Sequence, residues 1–257
     1  VGSHSLLFAT LPVYLVLTIA YFFLIRFSGR AKGVEAKKTK EYSSLAKGMR
    51  LIASSKLLWA ILLMTACMQV TATLTTFQFQ SLLEKNYLDI DLRTEFTGRV
   101  FLIGNLVTMS LQFFGTFFLI RFLGMQRTHF LVPLLLGASS FLFLLSPVFG
   151  SVVCSFVLIK AFDFSLFGVV KEMLYIPMRL EEKFQAKAII DVFAYRASKV
   201  IASLFIVSLQ TFFPIYLLSS LSWINFILFT AWCFLILSLR SSYREAEEFS
   251  LKKQPSV

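Results

Sequence analysis

Seven runs of predominantly apolar residues constrain this chain more than any motif in it. They cover residues 6–27, 57–79, 99–120, 130–149, 151–178, 187–213 and 215–239. A membrane-spanning helix needs about 20 such residues. Inside lipid every backbone N–H and C=O must be satisfied within the segment, which leaves the helix as the conformation for isolated runs of this kind. The predicted fold class is therefore all-α: a polytopic membrane protein with about seven transmembrane helices. Composition agrees, since 57% of residues are hydrophobic and only 15% charged, where a soluble domain carries about a quarter charged residues. Two runs meet near Gly150 with almost no loop, and Pro147 and Gly150 supply the expected break between them. The first run is too long for the apolar part of a secretory signal and is followed by basic residues rather than a small-residue cleavage site, so it reads as a span.

The net charge of +11 raises nucleic acid as a partner, but the apolar runs leave no solvated face on which to gather the basic residues. The charge instead sets topology. Arg30, Lys32, Lys37, Lys38, Lys40, Lys47 and Arg50 follow the first run against only Glu35 and Glu41, which makes that loop cytoplasmic. The next loop, with Glu84, Lys85, Asp89, Asp91, Arg93 and Glu95, has an acidic excess and fits the outer side. Alternation then puts Arg121 and Arg127, the Arg179–Lys187 loop and the tail with Arg240, Arg244, Lys252 and Lys253 inside. The expected topology is N-terminus out and C-terminus in, in a bacterial inner (cytoplasmic) membrane. Cys67, Cys154 and Cys233 lie far apart within apolar runs, as three buried thiols with no metal or disulfide spacing.

Charges inside the spans carry the functional information, because a charge at the centre of a spanning helix costs on the order of 3 kcal/mol or more and marks a pathway. Lys160 and Asp163 lie roughly 14 to 18 Å from the outer end of the fifth span, near the midplane. Their spacing puts them on one face, either as an intrahelical ion pair or lining a water-filled cavity. Lys171 and Glu172 sit nearer the cytoplasmic end. In the sixth span Lys187, Asp191, Tyr195 and Lys199 recur every fourth residue, with Arg196 on the adjoining face. Lys199 and Arg196 make a positive site for a polyanion, or else pair with Asp163 or Glu172 across the helix interface. Gln69, Gln78, Asn105, Gln112 and Asn225 either bond between helices or line a path.

No Walker loop, HExxH or GxSxG pattern occurs, and His4 and His129 are solitary. The expectation is a transporter rather than an enzyme, with no catalytic residue, metal or cofactor. His129, beside Arg127, is expected at the membrane interface.

The order of spans and loops resembles part of a major facilitator carrier. Residues 1–28 correspond to the last helix of its N-terminal half, 29–55 to the basic central loop, 56–240 to the six-helix C-terminal half and 241–257 to the cytoplasmic tail. The chain begins with Val1 rather than Met, which suits a fragment or an unusual start.

The stretch Lys171–Lys199, KEMLYIPMRLEEKFQAKAIIDVFAYRASK, resembles the ATP/ADP translocase family of plastids and obligate intracellular bacteria, with its wider major-facilitator-type relatives. Lys171, Glu172, Tyr175, Ile176 and Pro177 match a Lys-Glu pair followed by a Tyr-Ile-Pro turn. Lys187, Ala188, Ile190 and Asp191 match a Lys-Ala-x-Ile-Asp helix start, and Arg196 and Lys199 a later Arg and Lys. After Lys199 the chain departs from nucleotide-exchanging members, with Val200, Ile201 and Ala202 where they carry a Ser-Gly-Gly-like run. Their loop is also more acidic where Arg179 stands and has a lysine in place of Gln185.

The resemblance implies ATP/ADP antiport by alternating access. Lys160, Arg196 and Lys199 would be the substrate cations, and Asp163, Lys171, Glu172, Lys187 and Asp191 charge partners or gating residues. Implied partners are the nucleotides ATP and ADP, the lipid bilayer, and a second chain or copy supplying the other half. The alternatives are a carrier of another, non-nucleotide solute and a non-functional truncated gene product.

Overall fold

The computed structural model of the chain describes residues 12, 14–23, 26, 45–145, 148–176, 178–239 and 244. Among the described residues all regular structure is helical. The ends of the first expected span, residues 29–44 of the basic loop, Pro147, Pro177, and Arg240, Lys252 and Lys253 with the rest of the tail except Arg244 lie outside them. A ten-residue apolar helix, α1, covers Tyr14–Phe23, and a second short helix, α2, covers Leu45–Ser54.

Six further helices among the described residues are long and apolar enough to cross a membrane: α3 Lys56–Asn86, α4 Ile90–Leu123, α5 Met125–Leu145, α6 Phe149–Leu174, α7 Glu182–Phe212 and α8 Leu217–Ser238. They match the six later runs, and the protein is an all-α polytopic membrane protein. Several helices exceed their apolar runs because polar residues at their ends cap them. Ser55 accepts from the Leu58 N–H at the start of α3, and Asp89 accepts from the Asp91 N–H at 2.8 Å at the start of α4. The early turns of α4 carry an Arg99–Glu95 ion pair one turn apart, which keeps charged residues helical beyond the apolar part. Gly124, at φ 81°, ends α4 in a conformation that a side chain would resist.

One boundary differs from expectation. Val148 is extended and caps α6, and Gly150 falls within its first turn. Two helices do meet there, but the break precedes Gly150, at the extended Val148.

Three helices contain a wide turn of π geometry: Leu111–Gly115 in α4, Asp163–Phe167 in α6 and Ala188–Ala194 in α7. Such turns insert an extra residue, loosen the regular ladder and recur at functional positions. Two of the three hold a carboxylate, Asp163 and Asp191.

Helix α3 is the hub, packing against α6, α7 and α8, while α5 packs most extensively on α8. Its side chains Leu58, Ile61 and Met68 are buried in the main core with Val170 of α6 and Trp232 of α8. A polar network ties α3 to α8. Gln78 Nε2 donates to the Leu218 carbonyl at 2.9 Å and to Ser222 Oγ at 2.7 Å, while Asn225 Nδ2 donates to Thr75 Oγ1 at 3.3 Å. Such bonds hold helices together where lipid offers no hydrophobic drive. Outlying α4 exposes Phe113, Phe117 and Phe122, a face suited to lipid.

Two expectations are corrected. His129 is fully buried rather than interfacial, packed between Phe167 and Trp232 with ring centroids 5.5 and 5.9 Å away. The ring serves as an aromatic packing element where α5, α6 and α8 meet. The three thiols are not all buried: Cys154 is exposed on α6, and Cys67 and Cys233 are half-buried.

Candidate functional site

A cavity of about 500 Å³ opens between α3, α6 and α7. Its walls follow helical periodicity. From α3 come Gln69, Thr73, Thr76 and Gln80, spaced four, three and four residues apart on one face. The α7 wall is a four-residue stripe of Tyr195, Lys199 and Ser203, continued by Gln210. Lys160, Asp163 and Phe164 complete it from α6. Thr73, Thr76, Gln80, Ser203 and Gln210 were not singled out in the sequence, although the polar stripe on α3 was there to be found by testing the hydroxyls and amides for period 3.6.

Lys160 and Asp163 share this cavity but make no ion pair within 4.0 Å among the described residues. Asp163 is instead held from across the cavity by Gln69, whose Nε2 lies 3.2 and 3.3 Å from the two carboxylate oxygens. Gln69 is only 1% exposed, and its Oε1 is buried with no hydrogen-bond partner among the described residues. Lys160 Nζ sits 5.7 Å from the centroid of the Phe156 ring. Lys199 Nζ donates to the Tyr195 hydroxyl at 3.0 Å and lies 4.3 Å from that ring's centroid. Aromatic faces attract a cation without neutralising it, and neither lysine makes an ion pair within 4.0 Å among the described residues.

The wide turn starting at Asp163 is itself supported. Gln112, in the wide turn of α4, donates to the Phe164 carbonyl at 2.9 Å, answering one backbone acceptor that the irregular ladder leaves open. The two irregular turns therefore brace each other beside the cavity.

A second charged cluster joins α6 to α7 at the end nearest the 175–181 turn. Lys171 pairs with Asp191 at 3.0 Å and Lys187 with Glu172 at 2.7 Å. The two pairs link neighbouring residues on α6 to residues one turn apart on α7, in opposite polarity. Thus the four-residue stripe of α7 divides: Lys187 and Asp191 bind α6, while Tyr195 and Lys199 face the cavity. Arg196 is exposed and is not among the cavity-lining residues.

Two lysines outside any ion pair among the described residues, a carboxylate, amides and hydroxyls in one cavity can receive an anionic solute carrying hydrogen-bonding groups. Among the described residues no cluster of three or more His, Cys, Asp or Glu has a metal-binding arrangement.

The fold and the cavity define a polytopic helical membrane protein with a charged intramembrane site. Residues 144–245, which include all of α6 to α8, match the family described as TLC ATP/ADP transporter, so the resemblance carried by Lys171–Lys199 is upheld. The ADP,ATP carrier protein 5 of Rickettsia felis is 23% identical over 86% of this chain and 48% of its own length. The carrier of the same name from Rickettsia bellii is 23% identical over 88% of this chain and 51% of its own. ADP,ATP carrier protein 3 of Rickettsia bellii is 25% identical over 66% of this chain and 37% of its own. The chain spans about half the length of the curated relatives it matches. No solved structure matches it significantly.

Proposed function

We propose that this chain forms half of a nucleotide carrier that exchanges ATP for ADP by alternating access, in the manner of a major facilitator. In this reading residues 56–240 are the C-terminal six-helix half, residues 29–55 the central loop and residues 1–28 the last helix of the preceding half. A second unit, from another chain or another copy, closes the open side of the cavity. The protein lies in a bacterial inner membrane with the 175–181 turn cytoplasmic, as the basic residues of the loops suggest.

The observation that carries the proposal is the pair of unneutralised lysines, Lys160 and Lys199, on facing walls of one cavity. Fixed cations near the midplane compensate a phosphate chain for the water it leaves behind. Tyr195 and Phe164 supply apolar faces for a base. The paired charges Lys171–Asp191 and Lys187–Glu172 act as a gate that holds α6 and α7 together at the cytoplasmic end and parts when the cavity opens there. Uptake of labelled ATP by cells expressing the protein, followed by release on adding unlabelled ADP, is the expected result. Correct insertion with no exchange refutes the proposal.

A second reading is a carrier of a smaller, less charged anion. The described lining holds two cations against one carboxylate, a modest positive excess for a nucleotide, and Val200 and Ile201 stand where exchangers carry small residues. Competition by a panel of nucleotides and simple organic anions separates the two readings.

A further inference from the structure

We propose that Asp163 and Gln69 form a proton-binding site, so that the cavity takes up a proton as well as an anion. The inference starts from an imbalance in hydrogen bonding. Gln69 Nε2 is shared between both oxygens of Asp163 at 3.2 and 3.3 Å, the long end of the normal range. Its Oε1, on a side chain 99% buried by virtue of 1% exposure, meets no donor. A buried acceptor left empty is unfavourable, and the ionised carboxylate facing it has no proton to give.

One added proton resolves both defects. A proton from cavity water bonds to one Oδ of Asp163, and the carboxylate becomes a neutral acid. After a modest rotation of the amide, the new O–H donates to Gln69 Oε1 while Gln69 Nε2 donates to the remaining carbonyl oxygen. The result is a closed two-bond pair between acid and amide, with every polar atom satisfied. Loss of the proton to water restores the present arrangement. The carboxylate charge changes from −1 to 0, and the positive excess of the cavity rises by one unit with each proton bound.

The surroundings permit both states. On α6 the charged neighbours are Lys160 and Lys171, and Lys171 is already committed to Asp191. From α7, Lys199 and Tyr195 face the same cavity. Helix α5 brings His129, packed on Phe167 within the same wide turn of α6. Helix α4 contributes neutral Gln112, and α3 neutral Gln69. No cation lies within 4.0 Å of Asp163 among the described residues, and the side chain that touches its carboxylate is the Gln69 amide. The wide turn that Asp163 begins gives its backbone room to adjust.

The protonation itself is independent of the substrate, whereas its coupling to transport rests on the carrier reading. Infrared titration of the purified full chain in lipid tests the first directly. The difference between titrations of the native protein and of Asp163→Asn, whose amide can still pair with Gln69 and keep the fold, checked by unchanged helical circular dichroism, is expected to show one carboxylic-acid carbonyl band that grows as pH falls. In Gln69→Leu the band is expected to move to higher frequency, because the acid carbonyl loses its donor; a merely structural role for Gln69 would leave the frequency unmoved. Absence of a titrating band from that difference overturns the proposal whatever the transport assay returns. A titrating Asp163 band together with no ATP exchange supports the proton site and counts against the nucleotide reading. In vesicles that do exchange, an imposed pH gradient is expected to drive net anion uptake in the native protein and not in Asp163→Asn.

Discussion

Distance and exposure rank the two ion pairs between α6 and α7 in opposite orders, and this makes a sharp prediction. Lys187–Glu172 is the shorter at 2.7 Å, but its side chains are 30% and 48% exposed; Lys171–Asp191 is 3.0 Å long with side chains 16% and 24% exposed. At these separations Coulomb attraction differs by only about a tenth, since it falls inversely with distance, whereas effective dielectric varies several-fold between surface and interior. Exposure should therefore win. After desolvation and side-chain ordering, a coupling energy of about 1–2 kcal/mol is expected for Lys171–Asp191, and about 0.5 kcal/mol or less for Lys187–Glu172. Two double-mutant cycles measure this, using Lys171→Met with Asp191→Asn, and Lys187→Met with Glu172→Gln. Stability is read by unfolding in dodecyl sulfate, followed by tryptophan fluorescence. Added salt should weaken the exposed pair more. Equal couplings, or a larger one for Lys187–Glu172, would refute the argument that burial sets the strength of this latch.

Other outcomes follow from the packing and the cavity. Lys199→Gln is expected to reduce anion transport at least tenfold, about 1.4 kcal/mol in binding terms, while Arg196→Gln changes it less; uptake rates at matched expression check the difference. Gln78→Leu should destabilise the protein by about 1 kcal/mol, because it removes the bonds to Leu218 and Ser222 and leaves Asn225 with a poorer partner; dodecyl sulfate unfolding reads this too. On α2, a Cβ added at Gly48 would run into the flexible end of Ile189, within the wide turn that carries Asp191. Gly48→Ala should be mild and Gly48→Val should loosen α2, seen as faster amide exchange across residues 45–54.

The span count of the six later helices was readable because it rests on one strong term, the cost of leaving backbone and charge in lipid. Residues such as Asp89 and Ser55 explain the longer observed helices, since caps act beyond the apolar core of each run. What the sequence hid are matters of partner choice across helices. Lys160 and Asp163 stand three residues apart and suggest a local pair, yet Gln69, ninety-four positions away, takes the carboxylate. The regular stripe from Lys187 to Lys199 looked like one surface, but the wide turn Ala188–Ala194 shifts its register and sends its two ends to different tasks. His129 was misplaced because one polar ring near an arginine carries no sign of the aromatic shell, Phe167 and Trp232, that closes over it. Thr73 and Thr76 passed unnoticed since hydroxyls within a span bond readily to their own helix, as both do here at 2.8 and 2.6 Å.

The central claim is that Lys160 and Lys199 receive an anionic nucleotide in the cavity between α3, α6 and α7. Thr76→Cys, placed on the α3 wall in a protein whose three native cysteines are replaced by serine, reports on that space directly through its rate of alkylation by a small water-soluble maleimide. ATP and ADP are predicted to slow the labelling, and the protection is predicted to disappear when Lys160 and Lys199 are both changed to Gln. Labelling unaffected by saturating nucleotide in the lysine-containing protein, or protection that survives loss of both lysines, would contradict the account.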